Sequence, residues 1–218
     1  LGFWQYSKAE QKQALQAQYD ASSSHQAEAM PEDLSNPQTL RYKQVEVTGE
    51  YLKQYQILLD NQVEGETAGY HVITPLKVDG KEELVLVDRG WIAASDNHAD
   101  VPQIDVPIGA QKVLGQIWVP SKKFYTLSPQ PIENGEWQVL WQNMDMDAYA
   151  KAVPMKVLPV AIRMSPDNQG GFVRNWIRPD DRIATHLGYA YQWFGFAFAA
   201  FAIYLFVGFR RGKQASLN

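Results

Sequence analysis

Cysteine is absent from this chain of 218 residues. Disulfides, thiolate metal ligands and cysteine nucleophiles are thereby excluded together. Several other chemistries leave no trace either. The four histidines, His25, His71, His98 and His186, are scattered without the close pairing that zinc and iron sites need. No serine stands in a Gly-x-Ser-x-Gly setting, which argues against an elbow-type hydrolase. A Gly-x-x-x-x-Gly-Lys phosphate loop and a strand-to-helix dinucleotide turn are both missing. Net charge is −4 and pI about 5.6, with no basic run outside the arginines that flank the last apolar stretch. Nucleic acid, which favours a basic stripe, is therefore not an expected partner. Acidic residues are plentiful, but no pair stands out as a general acid and base. Together these absences point away from an enzyme.

Charge itself is missing from one long stretch. Leu187–Phe209 runs 23 residues without a charged side chain, and Arg210, Arg211 and Lys213 follow at once. A bilayer core of about 30 Å needs about 20 helical residues, so the run fits a single transmembrane helix. The remaining chain is polar enough to fold in water and long enough for one domain with a sizeable core. Arg174, Arg178 and Arg182 precede the span, balancing the cations after it. Large domains cross membranes largely regardless of charge, so the short tail is the informative side and is expected to be cytoplasmic. The domain is then expected in the periplasm, on the outer side of an inner membrane. The first residue is Leu1 and no secretory signal is visible, so an N-terminal span is expected just upstream.

The expected organisation is a juxtamembrane helix over 1–30, a periplasmic β-rich domain over 31–182, a transmembrane helix over 183–209 and a cytoplasmic tail over 210–218. Lys8–Ala29 lacks Pro and Gly and is rich in helix formers but poor in apolar residues, which reads as a solvated helix. From Arg41 onward the pattern is one of strands. Val45–Thr48, Gln56–Leu59 (before Asp60-Asn61), Tyr70–Thr74 (ending at Pro75), Leu84–Val87, Lys112–Val119, Trp137–Trp141 and Leu158–Met164 are the candidates. Asp79-Gly80 is a two-residue hairpin signal, and Asp145-Met146-Asp147 offers a helix start. The fold class is thus α+β, with a mainly antiparallel, curled or barrel-like β domain.

Two constellations rise above this background. Asp88-Arg89-Gly90-Trp91 follows a buried strand. Arg89 and Trp91 are candidate partner-binding residues, because both types are favoured at interaction hot spots. The competing reading is a structural turn, with Arg89 paired to a carboxylate and Trp91 in the core. The second constellation is the approach to the span. At 100° per residue His186, Ala190, Trp193, Ala197, Ala200 and Tyr204 share one helix face, and Gly188, Gly195, Ala199 and Ala202 share the opposite one. The small-residue face suits packing on another span, which leaves the histidine face looking outward. Imidazole is a common haem-iron ligand, and Arg178 and Arg182 are placed to meet propionates. Ala190 and Ala197 would leave room for a flat ring, with Trp193 stacking on it. Alternatively His186 is an interfacial residue within a belt of Tyr and Trp.

Five short motifs, taken in order, also carry a resemblance. Leu1-Gly2-Phe3-Trp4-Gln5, Tyr70-His71-Val72-Ile73-Thr74-Pro75-Leu76, Asp88-Arg89-Gly90-Trp91, Trp141-Gln142-Asn143-Met144-Asp145 and His186 through Phe194 occur in this order over nearly the whole chain. In that pattern the chain resembles the surfeit-locus family of cytochrome oxidase assembly factors. It departs from the family pattern at Asp88, where Asn is expected, and at Lys8, where Arg is commoner. The resemblance implies two spans, an external domain and a role in maturing the catalytic subunit of haem-copper terminal oxidases, in company with other assembly factors. It also implies haem a as a cofactor or cargo, with His186 as its iron ligand. The alternative within the family is a non-enzymatic scaffold that grips oxidase subunits without touching haem. A third possibility, outside the family, is a membrane-bound sensor or binding domain unrelated to respiration.

Overall fold

The computed structural model describes residues 1–23, 25–95, 100–121, 132–133, 136–170, 172–176, 178 and 183–215. They fall into two units, one formed by Ala21–Trp176 and the other by Leu1–Asp20 with Ile177–Asn218.

The chain opens with helix α1 (Gly2–Ser23). It starts six residues earlier than helix propensity alone indicates, because its first two turns pack on a second helix described below. It also stops earlier, since Glu28–Ala29 leaves the helical path to form strand β1, paired in parallel with β2 (Gln44–Tyr51). Next come β3 (Ile57–Glu64), β4 (Thr67–Val78), β5 (Glu83–Ala93) and β6 (Ala110–Trp118). The two-residue strands β7 (Ile132–Glu133) and β8 (Glu136–Trp137) form a small ribbon of their own. β9 (Leu140–Trp141), helix α2 (Met146–Ala152) and β10 (Lys156–Met164) complete the larger unit. Asp145 caps α2 by accepting the Ala148 N–H at 2.9 Å.

β2, β6, β10, β5 and β4 are hydrogen-bonded in that order, and β2 pairs again with β4 at Gly49–Tyr51, which closes the five strands into a barrel. Within this ring only the β10–β5 pairing is parallel. Three successive barrel strands followed by one that returns beside the first make a Greek key, the arrangement OB-type barrels use. The α+β, mainly antiparallel barrel expected from the pattern of short strands is the observed architecture.

Alternation along the strands produces two cores. Val85 and Val87 point into the barrel with Val45, Val47, Val113, Val160 and Ile162. Leu84 and Leu86 point the other way, into a layer with Ile57, Ile73, Trp141, Tyr149 and Val153 beneath α2. Successive strand residues face opposite sides, so a strand with an apolar environment on both faces reads as an unbroken run. Two local details differ from the sequence pattern. Pro75 does not end β4. Its carbonyl accepts the Leu52 N–H at 2.9 Å, and its missing donor falls between Ile73, the last residue paired with β3, and Leu76, the first paired with β2. Asp60-Asn61 likewise does not end β3. A bulge between Leu59 and Gln62, with Asn61 at φ +56°, lets the strand continue to Glu64.

The smaller unit pairs α1 with α3 (Ile183–Ala215). Within α3, Ile183–Arg210 is long and apolar enough to cross a membrane. Its 28 residues reach about 42 Å at 1.5 Å each, more than a bilayer core requires.

Glycines permit the tight closure of the barrel. A Cβ on Gly49 would lie 2.1 Å from the Lys77 carbonyl oxygen, at the closing seam, and one on Gly115 would lie 2.2 Å from that of Arg163. Backbone atoms cannot retreat as a flexible side chain can. Gly49→Ala and Gly115→Ala are therefore expected to cost at least the 1–3 kcal/mol typical of overpacking, about 5 °C or more in Tm, measured by thermal unfolding of the detergent-solubilised chain.

Candidate functional site

Asp88-Arg89-Gly90-Trp91 lies on β5, and the protein encloses all of it. Arg89 is 4 % exposed and Trp91 8 %. The Trp91 backbone exchanges two hydrogen bonds with Val173, its N–H donating at 2.7 Å and its carbonyl accepting at 3.0 Å, and its indole N–H donates to the Gln62 carbonyl at 3.0 Å. Gly90 between them takes φ +125°, a region that disfavours side chains, and a Cβ there would meet the Phe172 Cβ at 2.6 Å.

Arg89 donates to the Asp105 carbonyl at 3.1 Å and lies 3.4 Å from Gln56 Oε1 and 3.5 Å from Thr74 Oγ1. Its guanidinium rests on the Phe172 and Tyr51 rings at 4.8 and 5.4 Å. Its hydrogen bonds among the described residues are thus to uncharged oxygens, with aromatic faces supplying further negative potential. Burial lowers the Arg89 pKa, and the neighbouring Tyr51 opposes that shift.

Arg174 is a comparable case. Sequence position places it before the span, yet it is buried in the barrel unit. Its guanidinium donates to four backbone carbonyls, those of Arg89, Pro166, Asn168 and Gln169. It therefore ties β5 to the segment that follows β10 and is not a free charge flanking a membrane.

His186 stands in the helix pair. Its Nδ1–H donates to Gln5 Oε1 at 2.7 Å, across from α3 to α1. Two turns further on, Phe194 meets Phe3 edge to face at 5.2 Å, and its ring lies so close to Gly2 that a Cβ there would sit 2.8 Å away. Since Gln5 meets His186 while Gly2 and Phe3 meet Phe194, the two helices run antiparallel. Ala190 lies between these contacts and is 1 % exposed.

This corrects the expected orientation of α3. The face bearing His186 and Ala190 is turned toward α1 and does not look outward, and the room anticipated beside Ala190 is closed. The opposite face stays open, with nothing within 4 Å of a Cβ placed on Gly188 or Gly195. The reason is that Gly2 and Ala9 give α1 a smooth stripe of its own, so the close approach uses small residues of α1 with Ala190 of α3. Trp193 remains 41 % exposed, beside Phe196. Arg178 is exposed, and Arg182 lies outside the described residues. No other hydrogen bond to His186 occurs among the described residues. No cluster of three metal-ligating side chains occurs among them either.

The sequence reading passed over one further group. His71 on β4, Asp88 on β5 and Arg163 on β10 stand side by side on three adjacent strands. The available signal was Arg163 itself, a charge inside the otherwise apolar run Leu158–Met164.

Two outcomes follow for the buried polar groups. Arg174→Met would strand four carbonyls and is expected to cost about 3 kcal/mol or more, and Arg174→Lys to recover only part of it, by urea titration. Burial pushes the Tyr51 phenol up to about 12, against the pull of Arg89 and Arg174. An unfolded phenol ionises near 10, so this stabilisation is intact below pH 10 and is lost as pH rises through 12. Alkaline unfolding curves of Tyr51→Phe should be shallower over that window.

The chain has clear relatives. The model of the SURF1 family matches residues 1–198. A SURF1-like protein of Rickettsia bellii is 26 % identical, covering 94 % of this chain and 83 % of the relative. A SURF1-like protein of Monosiga brevicollis is 23 % identical over all of this chain and 86 % of its own length. Surfeit locus protein 1 of Rattus norvegicus is 22 % identical, covering 89 % and 67 % respectively. With a family match spanning α1, the whole barrel and the first half of α3, and a helix fit to cross a bilayer, this is a membrane protein that belongs to the SURF1 family.

Proposed function

We propose that this protein is an assembly factor for a haem-copper terminal oxidase, anchored in the inner membrane with its barrel in the periplasm and its C-terminus in the cytoplasm, and that it holds haem a as cargo for the catalytic subunit. Family membership supports the assembly role. The single observation supporting the haem reading is the state of His186. One ring nitrogen is held by Gln5 and the other makes no hydrogen bond among the described residues. Metal-bound histidines are typically organised in this way, with the non-ligating N–H donated to an oxygen that fixes the tautomer. His186 Nε2 would be the iron ligand, Trp193 would flank the ring, and Arg178 and Arg182 would meet the propionates. When bound, haem would supply an iron that an imidazole nitrogen can ligate. The protein's own part is to orient that imidazole.

A second reading is favoured by the closure of the face beside Ala190. Under it the protein is a non-enzymatic scaffold that grips oxidase subunits or other assembly factors and leaves haem alone.

Purification from cells that make haem a, followed by visible spectroscopy, separates the two. On the haem reading the protein co-purifies with haem a, His186→Ala abolishes the bound signal, and Gln5→Leu weakens retention about 10-fold through loss of the orienting acceptor. An unaltered spectrum in His186→Ala removes His186 from the account. Intact oxidase assembly in that variant supports the scaffold.

A further inference from the structure

His71, Asp88 and Arg163 line a cavity of about 240 Å³ on the outer face of the barrel wall, with Leu59, Met144 and Trp118 as its apolar surface and Gln142 and Asn143 at its polar side. The volume lies below the usual range of drug-sized pockets, so it suits a small group and not a macrocycle.

Arg163 is the unusual member. Its guanidinium rests on Trp118 at 4.5 Å and Trp176 at 5.2 Å. Trp176 is itself fixed by donating its indole N–H to the Met164 carbonyl at 2.8 Å, and it stacks on His71 at 5.5 Å. The nearest carboxylate oxygen, Asp88 Oδ2, is 3.8 Å from Nε, an ion pair too long for a hydrogen bond. Nε is buried without any hydrogen-bond partner, and no hydrogen bond from any nitrogen of this side chain occurs among the described residues. Asp88 is otherwise occupied, because its Oδ1 accepts from His71 Nδ1 at 3.0 Å and from the Gly90 N–H at 3.2 Å. A guanidinium carries five N–H donors in a fixed fork that matches a planar oxyanion. Here that fork rests on aromatic faces at the wall of a cavity, with Nε unpaired and the side chain partly exposed.

We propose that this cavity binds a carboxylate carried on a short aliphatic stem. Arg163 takes the two oxygens, and Leu59 and Met144 take the stem. A singly charged group is favoured over phosphate because Asp88 already contributes one negative charge beside Arg163. The carboxylate can belong to a free short-chain acid or to the C-terminus of a partner polypeptide, both of which present this chemistry. The proposal is independent of the haem reading, since none of its residues lies on α1 or α3.

The test follows the Arg163 side-chain N–H resonances of the full chain in detergent micelles during titration. Butyrate is expected to shift them saturably with a Kd in the millimolar range, and butyramide, the neutral isostere, to leave them in place. Phosphate should bind more weakly than butyrate. Binding followed by calorimetry should weaken about 10-fold or more in Arg163→Lys, which keeps the charge beside Asp88 but loses the fork. Gln142→Glu, an exposed position that leaves the core untouched, should weaken it as well, through repulsion. A short peptide with a free C-terminus binding more tightly than butyrate, with its amidated form inert, identifies a polypeptide source. Butyrate binding more tightly than that peptide identifies a free acid. No saturable shift with butyrate or the peptide at tens of millimolar overturns the proposal. So does tighter binding of phosphate, or affinity unchanged in both variants.

Discussion

Strand β5 is the constraint on which the rest of the larger unit depends. It lies between β4 and β10, with apolar residues packed on both of its faces. Its first half therefore has to be Leu84-Val85-Leu86-Val87, and its polar second half has to find partners without water. A strand in that position leaves no exposed side on which a charge can escape. The chain's solution is to surround each buried charge with fixed dipoles, aromatic faces or one opposite charge. Arg89 has carbonyl, amide and hydroxyl oxygens with two ring faces, and Asp88 has an imidazole and a backbone N–H. Arg174 then ties β5 to the chain beyond β10 through four carbonyls. Burying a charge without such partners costs several kcal/mol, so these groups form one interdependent set.

The helix pair works on a different principle. α1 is mostly polar and has little intrinsic reason to adhere to an apolar partner. What it offers is a narrow stripe, Gly2 and Ala9, smooth enough for close approach, with Gln5 placed between them to engage the one polar side chain at that level of α3. The contact is therefore specific as well as adhesive, because a one-residue rotation of either helix would separate Gln5 from His186. The imidazole's orientation and the helix register are set by the same bond.

Much of the barrel was legible in the sequence because period-two alternation and turn residues are local signals. Val45–Thr48, Leu84–Val87, Lys112–Val119 and Leu158–Met164 all fall on or largely within observed strands. What was not legible depends on partners distant in the chain. Pro75 and Asp60-Asn61 look like strand ends, and only the changes of neighbour along β4 and the bulge in β3 make them tolerable. The direction that His186 faces was misjudged for the same reason, since α1 looks like a solvated helix until its Gly2, Gln5 and Ala9 are seen together. His71 and Asp88 are 17 positions apart and Arg163 lies far beyond both, and only the ring order β4–β5–β10 brings them side by side. Arg174 shows the reverse error. Proximity in sequence to the span implied a membrane-flanking charge, whereas its guanidinium is part of the barrel.

The one parallel pairing in the ring has a kinetic consequence. β10 must align with β5, more than sixty residues behind it, and until it does the barrel remains an open sheet with two unsatisfied edges. Non-local pairing of this kind is slow, and exposed edges invite association with other chains. Because α3 follows soon after β10, the apolar helix emerges during synthesis before the sheet has had long to seal. The order in which the chain is made thus sets two hydrophobic events in competition, closure of the ring through β10 and burial of the apolar surface of α3.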